Sequence, residues 1–242
     1  MRYGIISDIH SNLEAFEKVL DVLSKEKIDR YVCVGDIVGY GADPKACIEI
    51  TKDLNPLVVV GNHDSACVGK TSLSYFNPRA KEAVIWTKDV LEPMYIAYLN
   101  TLDLVLEEEG AFTLVHGTLE DPESFNYMVD RFLAKQSFEK MHTQLLFVGH
   151  SHIPGIFELK NNKIRYFLKP KIKLSTGVSY IVNAGSVGQP RDGDNRACFV
   201  IYDTDKNTIE INRVEYDMDS AQKKILEKGL PSALAYRLTK GV

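Results

Sequence analysis

The chain opens with MRYGIISDIH (residues 1–10), an apolar strand that ends in an aspartate and a histidine. The run 3–6 is typical of a strand covered on both faces, and Asp8 and His10 stand where it leaves the core. Because alternate residues of an extended chain point the same way, the two side chains can share one ligand. Taken alone, these ten residues favour a structural interpretation, with Asp8 in a turn and His10 at the start of a helix.

The same arrangement recurs along the chain, and the repetition changes the interpretation. Five apolar strands end in polar residues that can bind a metal ion: ISDIH (6–10), VGDIV (34–38), VGNHD (60–64), LVHGT (114–118) and VGHSH (148–152). Ligand sites of α/β sheets form beyond the carboxyl ends of strands. We therefore expect one functional cluster, made of Asp8, His10, Asp36, Asn62, His63, His116, His150 and His152. The sixth histidine, His142, lies in a helical stretch and is interpreted as a surface residue.

The donor types in this cluster point to transition-metal chemistry. Carboxylate, amide oxygen and imidazole together suit first-row ions such as Mn, Fe, Co, Ni or Zn better than Ca. The donors are too many for one tetrahedral site, whereas two ions roughly 3.5–4 Å apart would use them all. The sequence therefore predicts a two-metal centre with a bridging carboxylate.

Composition limits the remaining function classes. With 242 residues, the chain is predicted to form one domain over residues 1–242. The net charge is −4 with acids and bases mixed, which argues against a broad nucleic-acid-binding surface. We find no apolar run that could span a membrane and no signal-peptide pattern. Four isolated cysteines indicate reduced thiols, so a cytoplasmic protein is expected.

Apolar strands alternate with helical stretches in the first half of the chain, which predicts an α/β fold with a largely parallel sheet. From about Ile156 the pattern changes to strands of period two, with hairpin turns at KNNK (160–163) and TDKN (204–207). Helices are predicted at 12–28, 44–54, 123–141 and 220–230.

The segment 65–103 is longer than a simple crossover requires and is predicted to be a helical cap or insertion. Its Trp86 and Leu91, at helical spacing, are expected to pack on the core. In its loop, Tyr75, Phe76, Asn77 and Arg79 are candidates for substrate contacts, because binding residues concentrate in loops. Arg191, in GSVGQPRDGDNR (185–196), either donates to a phosphate or forms part of a plain turn.

Six motifs together resemble one family. SDIH, GDIVGYG, GNHD, HG and GHSH, in that order, are similar to the signature blocks of the calcineurin-like metallophosphoesterases, and NAGSVGQPR (183–191) resembles a stretch of their small bacterial and archaeal members. The resemblance implies a four-layer α/β/β/α sandwich, here with a helical insertion after the third strand. It also implies that Asp8, His10 and His152 bind one ion, that Asn62, His116 and His150 bind the other, and that Asp36 bridges them. His63 resembles the non-ligand histidine near the leaving group, and Asp64 would orient it.

Two dications beside a phosphoryl group would neutralise its oxygens and supply a bridging hydroxide for in-line attack. A protonated His63 would assist the leaving oxygen. We therefore expect hydrolysis of a phosphodiester or phosphomonoester, with the diester favoured, on a small phosphorylated substrate such as a nucleotide. Mn is the expected metal, and Fe, Zn, Ni or Co also fit. Two alternatives stay open: a metal-binding protein-interaction scaffold of the same fold, and a hydrolase of another bond, such as an amide.

Overall fold

Two six-stranded sheets form the centre of the molecule, as described by a computed structural model over residues 1–108 and 110–242. The strands are β1 (Arg2–Ile6), β2 (Arg30–Cys33), β3 (Leu57–Val58), β4 (Val105–Glu108), β5 (Phe112–Val115), β6 (Leu145–Val148), β7 (Gly155–Lys160), β8 (Lys163–Phe167), β9 (Lys171–Lys173), β10 (Ser179–Asn183), β11 (Ala197–Asp203) and β12 (Thr208–Val214). The helices are α1 (Leu13–Ser24), α2 (Pro44–Leu54), α3 (Asn62–Cys67), α4 (Pro78–Val90), α5 (Pro93–Asn100), α6 (Arg131–Lys140), α7 (Met218–Glu227) and α8 (Ser232–Tyr236).

Each sheet mixes parallel and antiparallel strands. The first has the order β3-β2-β1-β11-β12-β9, with β1, β2 and β3 mutually parallel. The second has the order β4-β5-β6-β10-β7-β8, with β5, β6 and β10 parallel. Parallel neighbours bring their carboxyl ends to the same edge of a sheet, so the polar strand ends of β1, β2 and β3, and those of β5 and β6, come together.

The two sheets pack face to face, with helices on both outer sides. Ile5 of the first sheet and Phe147 of the second belong to the inner core cluster between them. On the outer face of the first sheet, Phe16 of α1 is fully buried. On the outer face of the second sheet, Phe138 of α6 packs against strand residues. This arrangement confirms the expected four-layer α/β/β/α sandwich.

Local sequence signals explain several elements. Asn12 caps α1, because its side chain accepts a hydrogen bond from Ala15 N at 3.1 Å. The predicted hairpin at 160–163 is confirmed by β7 and β8, and its two central residues, Asn161 and Asn162, have φ of 49° and 59°. Asparagine tolerates this left-handed conformation, which a two-residue hairpin turn requires. The hairpin predicted at 204–207 joins β11 to β12.

The helix predicted over 123–141 is wrong in its first half. A short 3₁₀ turn covers Pro122–Ser124, and α6 begins only at Arg131. Asp130 stops the helix from extending backward, since its extended backbone lets its carboxylate accept hydrogen bonds from Phe132 N and Leu133 N, both at 2.9 Å. The residues between the turn and α6 form an irregular loop.

The segment 65–103 is largely helical, as predicted, and comprises the second half of α3 together with α4 and α5. Leu91 is buried in the outer core of the first sheet, and Trp86 is half-buried against a cluster that also contains Tyr40 and the chain's C-terminal helices. Both residues therefore pack as expected. Over the described residues, none of the helices has the length and apolarity needed to cross a membrane.

Candidate metal centre

The polar residues at the five strand ends converge as predicted. Donor atoms lie within 4.8 Å of one another in three overlapping groups: Asp8, His10 and His152; His10, Asp36 and His63; and Asp36, His116 and His150. All seven side chains are buried. The first group has the same members as the set that the family resemblance implies for one ion. The third contains His116 and His150, which are implied for the other ion, together with Asp36, the implied bridging residue.

The two carboxylates each have one oxygen engaged and one oxygen free. Asp8 Oδ2 accepts hydrogen bonds from Ser7 Oγ at 2.6 Å and from His150 N at 3.0 Å, and Asp36 Oδ1 accepts one from His63 N at 2.8 Å. Asp8 Oδ1 and Asp36 Oδ2 are buried without a hydrogen-bond partner among residues 1–108 and 110–242. Buried carboxylate oxygens rarely lack a partner, and a bound cation is one explanation for such an exception.

Three histidines direct the same ring nitrogen at these free oxygens. His10, His116 and His152 each place Nδ1 near a backbone carbonyl, at 3.0, 2.6 and 2.5 Å respectively. Because a carbonyl only accepts, Nδ1 carries a proton, so that the neutral form of each ring has its lone pair on Nε2. His116 Nε2 lies 3.3 Å from Asp36 Oδ2, and His152 Nε2 lies 3.1 Å from Asp8 Oδ1. Metal-binding histidines are typically oriented in this way, so the donor set fits divalent transition-metal ions.

The ionised carboxylates of the cluster favour the binding of cations. Burial raises the pKa of Asp8, but His152 and His116 outweigh burial and hold that pKa below its usual range. The pKa of Asp36 is lowered in the same way, against burial, by His116 and His63. Burial lowers the pKa of His116, yet Asp36 and Asp8 raise it overall to about 9. Two ionised, buried carboxylates are stable only beside compensating charge, which divalent cations supply.

Asn62 and His63 begin α3, directly after the third strand end. Asn62 Oδ1 is buried and, in the described part of the chain, has no hydrogen-bond partner, which suits a ligand. The His63 ring packs edge-on against His10, with ring centroids 4.8 Å apart. Burial lowers the pKa of His63 to about 4. His63 lies as close to the other donor atoms as the predicted ligands do. Its role as a histidine that binds no metal therefore remains a prediction.

Asp64 does not touch the His63 ring as a direct orienting residue would. Its two oxygens accept hydrogen bonds from Val38 N and Gly61 N, both at 3.1 Å. Within the described residues, His63 Nδ1 has no hydrogen-bond partner. Burial raises the pKa of Asp64 to about 7, and the charge of Asp36 adds to this effect. Asp64 therefore holds the backbone at the start of α3 and in the loop that follows β2.

A cavity of about 1320 Å³ opens over the cluster. Asp36, Asn62, His63, His150 and His152 form part of its floor. One wall comes from the segment 65–80 and another from 121–127. A volume of this size exceeds the usual range of small-molecule sites, about 300–1,000 Å³, so there is room for more than a phosphate group.

Four of the five candidate substrate-contact residues line the cavity, and one does not. Tyr75, Phe76, Asn77 and Arg191 line the cavity, and the Phe76 ring lies 5.0 Å from the His63 ring. Asn77 already uses its side-chain oxygen to cap α4, where it accepts from Ala80 N at 3.1 Å. Arg79 lies on the exposed surface of α4, outside the cavity lining found over the described residues.

Arg191 is the candidate with the strongest local support. Its guanidinium lies 5.6 Å from the Tyr40 ring centroid, and its NH2 group donates to Gln189 Oε1 at 2.9 Å. Its Nε is buried and has no partner in the parts of the chain that the structure describes. No ion pair of Arg191 with a carboxylate is found among those residues, so its charge is available to an anion in the cavity.

Two aromatic residues of the site were missed by the sequence prediction. Tyr40 lies 4.4 Å from His63 and 4.6 Å from His10 between ring centroids, and Tyr127 stacks on His150 at 3.9 Å. The tyrosine in GDIVGYG (35–41) stands close enough to a strand end to have been found. Tyr127 lies in the loop that was predicted as helix, so no local signal identified it.

Comparisons with known proteins agree with this geometry. A family model described as the calcineurin-like phosphoesterase superfamily domain matches residues 1–207. An uncharacterized protein of Methanocaldococcus jannaschii is 43% identical over 241 residues, which cover 98% of this chain and 97% of that protein. The solved structure of a metallophosphoesterase from Sphaerobacter thermophilus is 39% identical with a TM-score of 0.88, covering 100% of this chain and 99% of its own.

A hypothetical protein from Pyrococcus horikoshii shares the fold at lower sequence similarity. Its structure has a TM-score of 0.81 and 19% identity, and the match covers 100% of this chain and 98% of that chain. Family model, close relative and metal-binding geometry lead to one conclusion. The chain belongs to the calcineurin-like phosphoesterase superfamily and is a metal-dependent hydrolase of phosphoric esters.

Proposed function

We propose that the protein hydrolyses small phosphodiesters at a centre of two divalent ions, with His63 assisting the leaving group. The observation that carries this proposal is the pair of buried carboxylate oxygens, Asp8 Oδ1 and Asp36 Oδ2, that have no hydrogen-bond partner among the described residues. Asp36 lines the floor of the large cavity, and Asp8 lies in the same cluster of donors. Asp8, His10 and His152 would hold one ion, Asn62, His116 and His150 the other, and Asp36 would contribute to both. When bound, such ions polarise phosphoryl oxygens and make water a better nucleophile near neutral pH.

The residues around the ions supply positioning and proton transfer. Arg191 offers a guanidinium with an unused N–H to a phosphoryl oxygen. His63 is buried beside the cluster and opens into the cavity, where it can protonate the departing oxygen. A phosphate bound next to His63 adds negative charge and raises its pKa, which favours the protonated form that a general acid needs.

Charge in the cavity favours a diester over a monoester. Outside the cluster, the charged lining residues are Lys70 and Arg191 against Asp103, Asp121 and Glu123. A phosphodiester carries one negative charge, whereas a monoester carries nearly two at neutral pH. Apart from the two ions, the lining therefore offers no excess of positive charge to stabilise the second charge of a monoester. The size of the cavity also suits a phosphate with two substituents.

The test is hydrolysis by metal-stripped protein reloaded with Mn²⁺, on p-nitrophenyl phosphate and bis(p-nitrophenyl) phosphate in parallel. We expect kcat/KM for the diester to be well above that for the monoester, and both activities to be lost in Asp36→Asn. Asp21→Asn, an exposed aspartate on α1, is the matched control and should keep wild-type rates. A clear preference for the monoester, or no turnover with metal bound, would contradict the proposal.

A further inference from the structure

Tyr127 covers one of the predicted ligands and faces the cavity at the same time. Its ring is stacked on the His150 imidazole, with centroids 3.9 Å apart and an angle of 14° between the planes. His150 is buried, but Tyr127 remains 47% exposed and lines the cavity. The tyrosine therefore offers free aromatic surface next to the metal centre.

The loop that carries Tyr127 is fixed on both sides. Phe125 and Met128 are both buried, at 7% and 4% exposure. The loop lies directly against Gly117, where an added Cβ would come within 2.8 Å of Asn126 O. Only glycine allows this approach. Tyr127 is thus held in place by the strand end that also carries His116. Its side chain is exposed to the cavity although its loop is packed against the protein.

Aromatic rings flank the cluster in two separate places. Near His63 lie Phe76 and Tyr40, at 5.0 and 4.4 Å between ring centroids. Tyr127 lies instead on His150, and His63 and His150 belong to different donor groups that share Asp36. A diester has two substituents, and with His63 as the acid the one that leaves would lie beside His63. The substituent that stays on the phosphate would then lie on the other side, toward Tyr127.

Resting on the proposed phosphodiesterase function, we propose that Tyr127 is a specificity-determining residue that stacks a nucleobase on the substituent that is not the leaving group. A planar ring on its open face would extend the existing stack with His150. The same wall carries Glu123 and Asn126, which offer hydrogen-bonding groups to the edge of a base. An aliphatic substituent would instead be matched by aliphatic side chains, and this wall is aromatic and polar.

The experiment compares two diesters with the same leaving group: thymidine 5′-(p-nitrophenyl) phosphate and methyl p-nitrophenyl phosphate. In the wild-type protein we expect kcat/KM for the thymidine compound to be higher by about 5- to 150-fold, the range for one stacked base. Tyr127→Phe, which keeps the ring, should retain this ratio. Tyr127→Leu should bring the ratio close to one. Tyr127→Trp, with a larger ring, should raise it.

The possible results distinguish the stacking role of Tyr127 from the phosphodiesterase function on which it rests. If Tyr127 only shields His150, the Leu variant will lose activity on both diesters equally, and an unchanged ratio would overturn the inference. Equal kcat/KM for the two diesters in the wild-type protein would overturn it as well, while leaving the phosphodiesterase function intact. Hydrolysis of neither diester would count against the proposed function.

Product binding gives a readout without turnover. Calorimetry on Mn²⁺-loaded protein should show that thymidine 5′-monophosphate binds more tightly than methyl phosphate, and that Tyr127→Leu removes the difference. Equal affinities in the wild-type protein would overturn the stacking role even if no diester is hydrolysed. Metal content, measured on each variant, identifies any loss of ions through His150.

Discussion

At the scale of single residues, the metal centre is built on unusual backbone. Five predicted ligands have left-handed φ, between 50° and 64°: Asp8, His10, Asp36, His150 and His152. Such conformations cost of order 1 kcal/mol each for residues with a side chain. They are held by hydrogen bonds such as Asp8 N to Gly35 O and His10 N to Asp36 O, both at 3.0 Å. The sharp reversals allow successive side chains to aim at one point.

His63→Ala should lower turnover by roughly 10²–10⁴-fold while the metal content stays unchanged, which is the usual effect of losing a general acid. Initial rates and elemental analysis on the same sample test both parts. His142→Ala, an exposed histidine outside the cluster, is the control and should behave like the wild-type protein. A metal-loaded His63→Ala protein with full activity on a diester with a poor leaving group would exclude the acid role.

Gly39→Ala should displace His63 and reduce kcat by about 10²-fold, the scale of a small misplacement of a catalytic group. Gly39 has φ of +95°, and an added Cβ would lie 2.3 Å from His63 Nδ1. Gly69→Ala is a matched control, because its φ of +83° gives similar strain but nothing lies within 4 Å of the added carbon. Equal kcat for the two variants would show that the contact with His63 is irrelevant.

At the scale of elements, the loop 184–196 brings Arg191 to the cavity because other segments hold it from several sides. Arg191 N donates to His152 O at 3.2 Å, and Gly193 N donates to Gly241 O at 3.0 Å. Arg213 of β12 donates to Arg196 O at 3.1 Å. Gly241 and Arg213 of β12 thus help to position the loop that carries Arg191, although neither residue lines the cavity.

Asp194 stabilises this loop through a bidentate pair with Arg196, at 2.9 and 2.6 Å. The pair with Arg196 lowers the pKa of Asp194 to about 2. A depressed pKa contributes stability above the unfolded value of about 3.9, and this contribution is lost as pH falls through about 2. Because the pair is largely exposed, we expect Asp194→Asn to lower the free energy of unfolding by less than about 1 kcal/mol at pH 7.

Urea unfolding of the wild-type protein and Asp194→Asn at several pH values tests this expectation. The difference between the two proteins should be constant above about pH 5 and should shrink toward pH 2. A difference that grows as the pH falls would have the wrong sign for an ion pair formed by an ionised Asp194.

Local patterns were sufficient for some elements and insufficient for others. Helix α2 and the hairpin β7–β8 were predictable because capping, period and turn residues all lie within the segment itself. The loop 125–130 was not, since its apolar and aromatic residues occur at helical spacing. What keeps it irregular is the cap at Asp130 and the contact with Gly117, and Gly117 lies outside the segment whose spacing indicates a helix.

At the scale of the whole molecule, the site exists because two sheets bring their strand ends to a common edge. The positions of the donors could be predicted, because each follows an apolar strand and carries its own chemistry. The order of the second sheet could not: β10 lies between β6 and β7, a pairing decided by long-range packing. The walls of the cavity were likewise only partly predictable: Arg191 could be named from its motif, whereas Tyr127 reaches the cavity through tertiary contacts.

The centre also links function to the stability of the whole fold. Asp8 and Asp36 are 0% and 1% exposed, at the point where both sheets meet. Their buried charges make the apo protein costly to fold, and ions that bind only the folded state offset this cost. Metal binding and hydrolysis should therefore depend on the same proposed ligands: Asp8, His10, Asp36, Asn62, His116, His150 and His152.

The most direct measurement is a titration of metal-stripped protein with Mn²⁺, in which bound ions per chain and diester hydrolysis are followed together. We expect activity to rise until two ions are bound per chain and then to stay constant, and we expect Asp36→Asn to bind fewer ions and to be inactive. Full activity with one ion per chain, or activity that is indifferent to added metal, would contradict a two-ion centre formed by these residues.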